Sequence, residues 1–133
     1  MAPAVRVTQT PPVPALQPVH ELDFDATLRR LGGVCVVVFT SPWCGACKAA
    51  KRALASLTEA ALAPAGAVGP LHLLEVDAGE SAGLTADLEV FHLPALFVYK
   101  RGEFHAPLQA PLRVDALARA LTEVLAAPPQ EPP

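Results

Sequence analysis

The 133-residue sequence lacks the features that mark membrane-spanning, nucleic-acid-binding and disulfide-stapled proteins. No run reaches the roughly 18 consecutive apolar residues of a membrane-spanning helix, although 52% of the residues are hydrophobic. The formal net charge is −3, whereas a nucleic-acid-binding protein usually carries a basic face. The three cysteines are too few, and odd in number, for a secreted scaffold built on disulfides. The length suits one domain with its own hydrophobic core.

The beginning of the sequence also lacks the pattern of a secretory signal peptide, which has a cationic start and a continuous apolar core. Prolines interrupt this segment instead, at positions 3, 11, 12, 14 and 18. We therefore expect a cytoplasmic protein with a disordered proline-rich tail over 1–18, for which a polyproline-type ligand is the alternative role. A folded domain is expected over 19–127, followed by a second proline-rich tail over 128–133.

Two of the cysteines, Cys44 and Cys47, form a Cys-x-x-Cys motif between a strand-like run and a helix-like run. The preceding run, 34–39, is continuously apolar and rich in valine, which predicts a central strand covered on both faces. A helix is predicted to follow over 46–62. At its start, unpaired N–H groups and the positive end of the helix dipole stabilise a thiolate. We interpret Cys44 as the attacking thiolate and Cys47 as the thiol that resolves the mixed disulfide.

The residues around this motif resemble a known family. Residues 43–48, with the sequence Trp-Cys-Gly-Ala-Cys-Lys, resemble the Trp-Cys-Gly-Pro-Cys-Lys motif of thioredoxins. Downstream, 93–95 (Leu-Pro-Ala) resembles the cis-proline loop of the family, and 96–104 resembles its closing hairpin. The likeness spans roughly 19–127. It implies an α/β, thioredoxin-like fold, in which a central mixed β-sheet has helices on both faces.

The same resemblance implies a function. It points to a thiol–disulfide oxidoreductase, in particular a protein-disulfide reductase, which works through the Cys44 and Cys47 dithiol in electron transport and redox homeostasis, without a bound cofactor or metal. The implied partners are disulfide-containing proteins and a reductase or low-molecular-weight thiol that donates electrons, with neither nucleic acid nor membrane. Nothing in the sequence demands more than a monomer. The expected substrate-binding surface consists of Trp43, Gly45, Ala46, Leu93 and Pro94.

Three positions depart from the family pattern. Val38 stands six residues before Cys44, where the family carries a buried acid, and we align the family's partner lysine with Leu73. Both members of that pair are then apolar, which is coherent because losing only one leaves a buried charge unpaired, at a cost of about 3–5 kcal/mol. Glu75, two residues beyond Leu73, is interpreted either as a strand-edge carboxylate in solvent or as an acid that acts through water. Ala46 replaces the family's proline and supplies an N–H that we expect to point at the Cys44 sulfur.

Hydrophobic periodicity and turn residues predict the remaining elements. We expect an edge strand over 19–22, helices over 23–31 and 80–88, a strand over 71–76, a hairpin of 95–100 and 103–108, and a last helix that begins at Val114. Leu84, Leu88 and Phe91, in and just after the helix over 80–88, are predicted to face inward.

Two other functions stay open at this point. The first is a thioredoxin-fold interaction module that no longer turns over, which the missing acid and lysine favour and the two intact cysteines oppose. The second is metal binding by Cys44, Cys47 and either Cys35 or a histidine, and a zinc site needs three or four converging ligands. Cys35 is interpreted as a small buried hydrophobe within its strand. His92 is interpreted as a loop residue that either favours the Cys44 thiolate when protonated or has no role.

Overall fold

A five-stranded mixed sheet with helices on both faces organises the chain, as predicted. The structure is a computed structural model, and it describes residues 16–57 and 70–133. In chain order its elements are β1 (Leu16–Pro18), a short 3-10 helix (Glu21–Asp23), α1 (Phe24–Leu31), β2 (Val34–Thr40), α2 (Gly45–Ala55), β3 (Leu71–Asp77), α3 (Ala82–Asp87), β4 (Ala95–Lys100), β5 (Glu103–Leu108) and α4 (Val114–Ala126).

The central position of β2 follows from its composition. All seven of its residues are buried, as expected of a strand that is covered on both faces. The strand order is β1-β3-β2-β4-β5, in which β1, β3 and β2 run parallel and β4 is antiparallel to both of its neighbours. Because β4 starts where β2 ends, the loop before β4 and the loop after β2 lie at the same end of the sheet.

Alternate residues of β2 contribute to two hydrophobic clusters, one on each face of the sheet. Val34, Val36 and Val38 belong to the cluster that α2 and α4 cover, with Ala50, Leu54, Leu57, Leu117, Leu121 and Leu125. Cys35, Val37 and Phe39 belong to the opposite cluster, which α1 covers with Phe24 and Leu28. Ala50 and Leu54 of α2 are completely buried in this cluster, as is Leu57 just after the helix. The helix predicted over 46–62 is wrong in its end, because α2 stops at Ala55 with Ser56 as its C-cap. Residues 58–62 lie outside the described residues.

The N-terminal edge of the sheet differs from the prediction. The edge strand is Leu16–Pro18, which pairs in parallel with β3, whereas 19–20 lead into the 3-10 helix and 21–22 belong to it. The side chains of His20 and Glu21 accept hydrogen bonds near this edge. His20 Nδ1 accepts the Leu22 N–H, and Glu21 Oε1 accepts the Leu84 N–H of α3. The predicted boundary at 19 is thus wrong, since the folded domain includes Leu16–Pro18. The rest of the predicted N-terminal tail, 1–15, lies outside the described residues.

The prediction that Phe91 faces inward is also wrong. Phe91 is 82% exposed, whereas Leu88 is buried. After α3 the chain takes a positive φ of 54° at Glu89, and the Val90 and Glu89 N–H groups donate to the Thr85 and Ala86 carbonyls. This is a Schellman motif, which ends the helical period before Phe91. Among the helices in residues 16–57 and 70–133, none combines the length and apolar character that a membrane span requires.

Candidate active site

Cys44 and Cys47 lie at the start of α2 and are joined in a disulfide, with their Cα atoms 5.3 Å apart. Cys44 is the N-cap residue: its backbone is extended, and its Sγ accepts the Cys47 N–H at 3.1 Å. An N-cap side chain normally satisfies one of the unpaired N–H groups in the first helical turn, and here a sulfur atom does so. The Cys44 sulfur is therefore held at the positive end of the helix.

The N–H that reaches this sulfur differs from the expected one. We expected the donor to be Ala46, whereas it is Cys47, the third residue after the cap. Side chains at the N-cap bond to the second or third residue of a helix, and the third is used here. A proline at position 46 would leave this hydrogen bond intact, so the alanine does not provide the contact on which that expectation rested.

The two sulfurs differ in accessibility. Cys44 is half-buried, whereas Cys47 is only 2% exposed and packs inside the first turn of α2. The residues around them on the surface are open: Gly45 and Ala46 are exposed, and Trp43 is 91% exposed. An almost fully exposed tryptophan is unusual, because its large apolar surface normally drives it into the interior. Solvent and other molecules therefore have access to the motif on the Trp43 and Cys44 side.

The loop that contains Pro94 lies at the same end of the sheet. The bond from Leu93 to Pro94 is cis, as predicted. Ala95, the next residue, pairs with Phe39, one residue from the end of β2. The chain then turns from β2 into the motif, with the Cys44 N–H donating to the Ser41 carbonyl at 3.3 Å. The two segments that the sequence indicated separately are thus brought to one edge of the fold.

An open cleft of about 480 Å³ adjoins this loop. One wall comes from 88–92 and 94–97, including Phe91, His92 and Pro94, and the other from 107–110 and Leu112. Pro133 also lines the cleft. Of the predicted surface residues only Pro94 is part of it, since Trp43, Gly45 and Ala46 lie on the motif and Leu93 packs against the α1 side of the core. Phe91 is a surface residue that the sequence pattern did not indicate, because its spacing from Leu84 and Leu88 fits an apolar stripe.

Glu75, and not Leu73, faces Val38 across the β2–β3 ladder. Leu73 pairs with Val36, so it lies on the same strand but two residues away from the position directly opposite Val38. The Glu75 carboxylate is neither free in solvent nor alone. Its Oε2 accepts the Thr40 hydroxyl at 2.7 Å and lies 3.0 Å from the Lys51 ammonium, and its side chain is 23% exposed.

This ion pair connects the sheet to the helix of the motif. Lys51 is four residues after Cys47, so the two side chains lie on the same side of α2. A carboxylate and an ammonium group therefore do meet on this face of the sheet. The carboxylate belongs to Glu75 on β3 and the ammonium group to Lys51 on α2. The β2 residue opposite Glu75 is the apolar Val38.

Cys35 is separated from the dithiol by the sheet itself. It belongs to the cluster on the α1 side, whereas Cys47 and Ala50 are among the buried residues of α2, which covers the other side. Burial raises the pKa of the Cys35 thiol to about 11, so it is neutral and unreactive at ordinary pH. The interpretation of Cys35 as a buried hydrophobe is confirmed. Within residues 16–57 and 70–133, no three His, Cys, Asp or Glu side chains converge in a group that would hold a metal ion.

Known proteins share both the sequence pattern and the fold. The model of the thioredoxin family matches residues 15–123, which is most of the chain. A protein named Thioredoxin from Staphylococcus aureus (strain Mu50 / ATCC 700699) is 33% identical over 89 residues, which cover 67% of this chain and 78% of that protein. This agreement extends well beyond the Cys-x-x-Cys motif.

Solved structures agree on the architecture. Human ERp44 in its zinc-bound form matches with a TM-score of 0.67 at 15% identity, over 81% of this chain and 31% of the ERp44 chain. This chain therefore spans about a third of ERp44, and the likeness concerns the fold alone. A chain from a study of the thiol resolving mechanism in yeast mitochondrial 1-Cys peroxiredoxin via glutathione/thioredoxin systems matches with a TM-score of 0.57 at 19% identity, over 70% of this chain and 81% of that chain. The protein thus belongs to the thioredoxin family and is a thiol–disulfide oxidoreductase.

Proposed function

We propose that the protein reduces disulfides in protein substrates, with Cys44 as the attacking thiolate and Cys47 as the resolving thiol. The observation that carries this proposal is the asymmetry between the two sulfurs. Cys44 is partly exposed and its sulfur accepts an N–H at the positive end of α2, whereas Cys47 is only 2% exposed. A thiolate is the attacking species, and it is stabilised where Cys44 lies.

The reaction proceeds in two exchanges. The Cys44 thiolate attacks one sulfur of the substrate disulfide, which breaks, and a Cys44–substrate disulfide forms while the other substrate sulfur leaves as a thiolate and takes up a proton. Cys47 then loses its proton and attacks the Cys44 sulfur, which releases the second substrate thiolate. Two electrons pass to the substrate, and the Cys44–Cys47 disulfide remains. A reductase or a low-molecular-weight thiol returns two electrons to it.

Substrate binding is assigned to the surface around the motif and the proline loop. Trp43, Gly45 and Ala46 flank the attacking sulfur and are exposed, and Leu93 and Pro94 form the loop at the same end of the sheet. The cleft beside Pro94 has a volume of about 480 Å³, and we assign it to the peptide that flanks a substrate cysteine. This surface favours protein disulfides over small ones, because only a protein substrate fills the cleft.

The setting of the reaction follows from its chemistry. A dithiol that must be re-reduced after each turnover requires a reducing compartment, and we place the protein in the cytoplasm for this reason. There it would belong to an electron-transport chain from a reductase or low-molecular-weight thiol to protein disulfides. One chain holds both cysteines and the proline loop, so a monomer is sufficient for the reaction.

Insulin reduction with dithiothreitol as electron donor tests this function. The wild-type protein should accelerate the reduction well above dithiothreitol alone, and Cys44→Ser should abolish the acceleration. Cys35→Ser is the matched control and should retain it, because Cys35 lies on the other side of the sheet. A wild-type protein without any effect would favour the non-catalytic interaction module, and an active Cys44→Ser variant would refute the assignment of the attacking sulfur.

A further inference from the structure

The segment 128–133 runs along the outer edge of the sheet. β5 is the edge strand on this side, and an edge strand leaves one row of backbone N–H and C=O groups unpaired. The Gln130 N–H donates to the His105 carbonyl on β5 at 2.7 Å. The same histidine holds the end of α4, since its Nε2 lies 2.8 Å from the Val124 carbonyl and 3.1 Å from the Ala127 carbonyl. His105 is 5% exposed, so this attachment point is part of the core.

The composition of the segment limits how it binds. Its sequence is Pro-Pro-Gln-Glu-Pro-Pro, so only Gln130 and Glu131 carry a backbone N–H. Gln130 uses its N–H on β5, and in the described part of the chain Glu131 donates no backbone hydrogen bond. Proline-rich chains favour an extended conformation with little conformational freedom to lose, which makes docking by a single hydrogen bond feasible.

The segment leads from β5 to the cleft beside Pro94. Pro133 is three positions after Gln130, and the end of β5 at Leu108 is three positions after His105. Extended chains rise by about 3.1–3.4 Å per residue, so both paths cover about 10 Å. Pro133 then lines the cleft together with Phe91 and Pro94.

We propose that residues 128–133 occupy part of the peptide-binding cleft and compete with protein substrates for it. The inference rests on the proposed function, in which this cleft receives the peptide that flanks the substrate disulfide. None of the motif residues 43–47 lines the cleft that Pro133 reaches, so the docked segment is expected to leave Cys44 free to react. Small disulfides, which have no flanking peptide, reach the sulfur whether the segment is docked or free.

The expected effect is modest. A substrate that needs the free cleft binds with an apparent affinity reduced by the fraction of molecules whose segment is undocked. One backbone hydrogen bond changes such an equilibrium by about two- to tenfold. Release of the segment should therefore lower the KM for a protein disulfide by about two- to tenfold and leave the kcat unchanged.

Two proline variants in the full chain test the proposal. Gln130→Pro removes the donor to His105 and should lower the KM for insulin, with dithiothreitol as electron donor. Glu131→Pro is the matched control, because it alters a neighbouring N–H that makes no hydrogen bond to any residue the structure describes, and its KM should equal that of the wild type. The kcat/KM for hydroxyethyl disulfide should be the same for all three proteins. A KM for insulin that Gln130→Pro leaves unchanged would overturn the proposal.

A second measurement does not depend on activity. If neither disulfide is reduced, the proposed function fails, and amide chemical shifts still decide whether the segment occupies the cleft. In ¹H–¹⁵N spectra, Gln130→Pro should shift the Phe91, His92 and Ala95 amides, whereas the Ala26 amide on α1 should not move. Cleft amides that stay in place in Gln130→Pro would contradict the docking.

Discussion

Glu75 lies directly across the β2–β3 ladder from Val38, so a carboxylate faces the apolar residue at the position where the family carries a buried acid. In a parallel ladder, paired residues point to the same side of the sheet. Val38 is completely buried on the α2 side, and Glu75 is drawn outward on that side by Thr40 and Lys51. The site therefore keeps one acid and one lysine but no charge on β2.

A negative charge at position 38 should destabilise the fold. In Val38→Asp a carboxylate would be buried without a cation of its own and would face Glu75, and an unpaired buried charge costs about 3–5 kcal/mol. Val38→Asn is the matched control, since asparagine has the size of aspartate but no charge. It should lose less free energy of unfolding than Val38→Asp. Urea denaturation at neutral pH measures both losses. Equal losses in the two variants would show that the Glu75 carboxylate does not act on position 38.

The Glu75–Lys51 pair should contribute a small, salt-sensitive coupling. Both side chains are partly exposed, at 23% and 39%, so solvent screens their attraction. Such pairs contribute about 0.2–1 kcal/mol, and less at high ionic strength. A double-mutant cycle with Glu75→Gln and Lys51→Met, read by urea denaturation at low and high salt, measures the coupling. A coupling that does not change with salt would contradict an electrostatic origin.

The buried thiol of Cys35 should make stability fall in alkaline solution. Burial raises its pKa from 9.0 to about 11. Below about pH 9 both the folded and the unfolded chain hold the proton, so this group's contribution to stability is fully present. Between about pH 9 and pH 11 the unfolded chain releases it first, and the free energy of unfolding falls by about 1.4 kcal/mol per pH unit.

Comparison with Cys35→Ala isolates this effect. The measurement uses the oxidised protein, so that Cys44 and Cys47 do not titrate. Burial also raises the pKa of Tyr99, with Asp25 adding to the effect, but this contribution is common to both proteins. The stability difference between wild type and Cys35→Ala should therefore shrink from pH 9 to pH 11. A difference that stays constant over this interval would contradict the burial of the Cys35 proton.

The exposed aromatic residues should matter for substrates and not for stability. Trp43 is 91% and Phe91 82% exposed, so truncating either one to alanine should change the free energy of unfolding by no more than about 0.5 kcal/mol. An exposed aromatic anchor at an interface contributes about 1–2 kcal/mol, so the kcat/KM for insulin should fall about five- to thirtyfold. Leu22→Ala, at an 85% exposed leucine outside the motif and cleft, is the control. Equal kcat/KM values for Trp43→Ala and Leu22→Ala would remove Trp43 from the substrate surface.

Local patterns in the sequence were sufficient for much of the site. The valine-rich run of β2, the cysteine spacing at a helix start and the proline before β4 each act within a few residues, and the structure has all three as predicted. The role of Cys44 as N-cap follows from the same local rule, because a residue at that position meets unpaired N–H groups whatever the rest of the chain does.

The register between β2 and β3 could not be predicted from such local patterns. A slip of two residues in a ladder returns every side chain to the same face, so Leu73 and Glu75 fit the alternation of β3 equally well. The register that pairs Val38 with Glu75 is set by tertiary contacts, among them Lys51 on α2. The exposure of Phe91 was also not predictable from the sequence pattern. Just after α3, Glu89 adopts a positive φ, and such a helix end is usually indicated by a glycine or asparagine that is absent at this position.

The most direct test of the account is to identify the cysteine that carries the mixed disulfide. Cys47→Ser and Cys44→Ser, each reduced first, are incubated with insulin at neutral pH, quenched with acid and mapped by peptide mass spectrometry. The account predicts a long-lived insulin adduct on Cys44 in Cys47→Ser and none on Cys47 in Cys44→Ser, because the accessible N-cap sulfur attacks and the buried one resolves. An adduct that forms on Cys47 as fast as on Cys44 would contradict it.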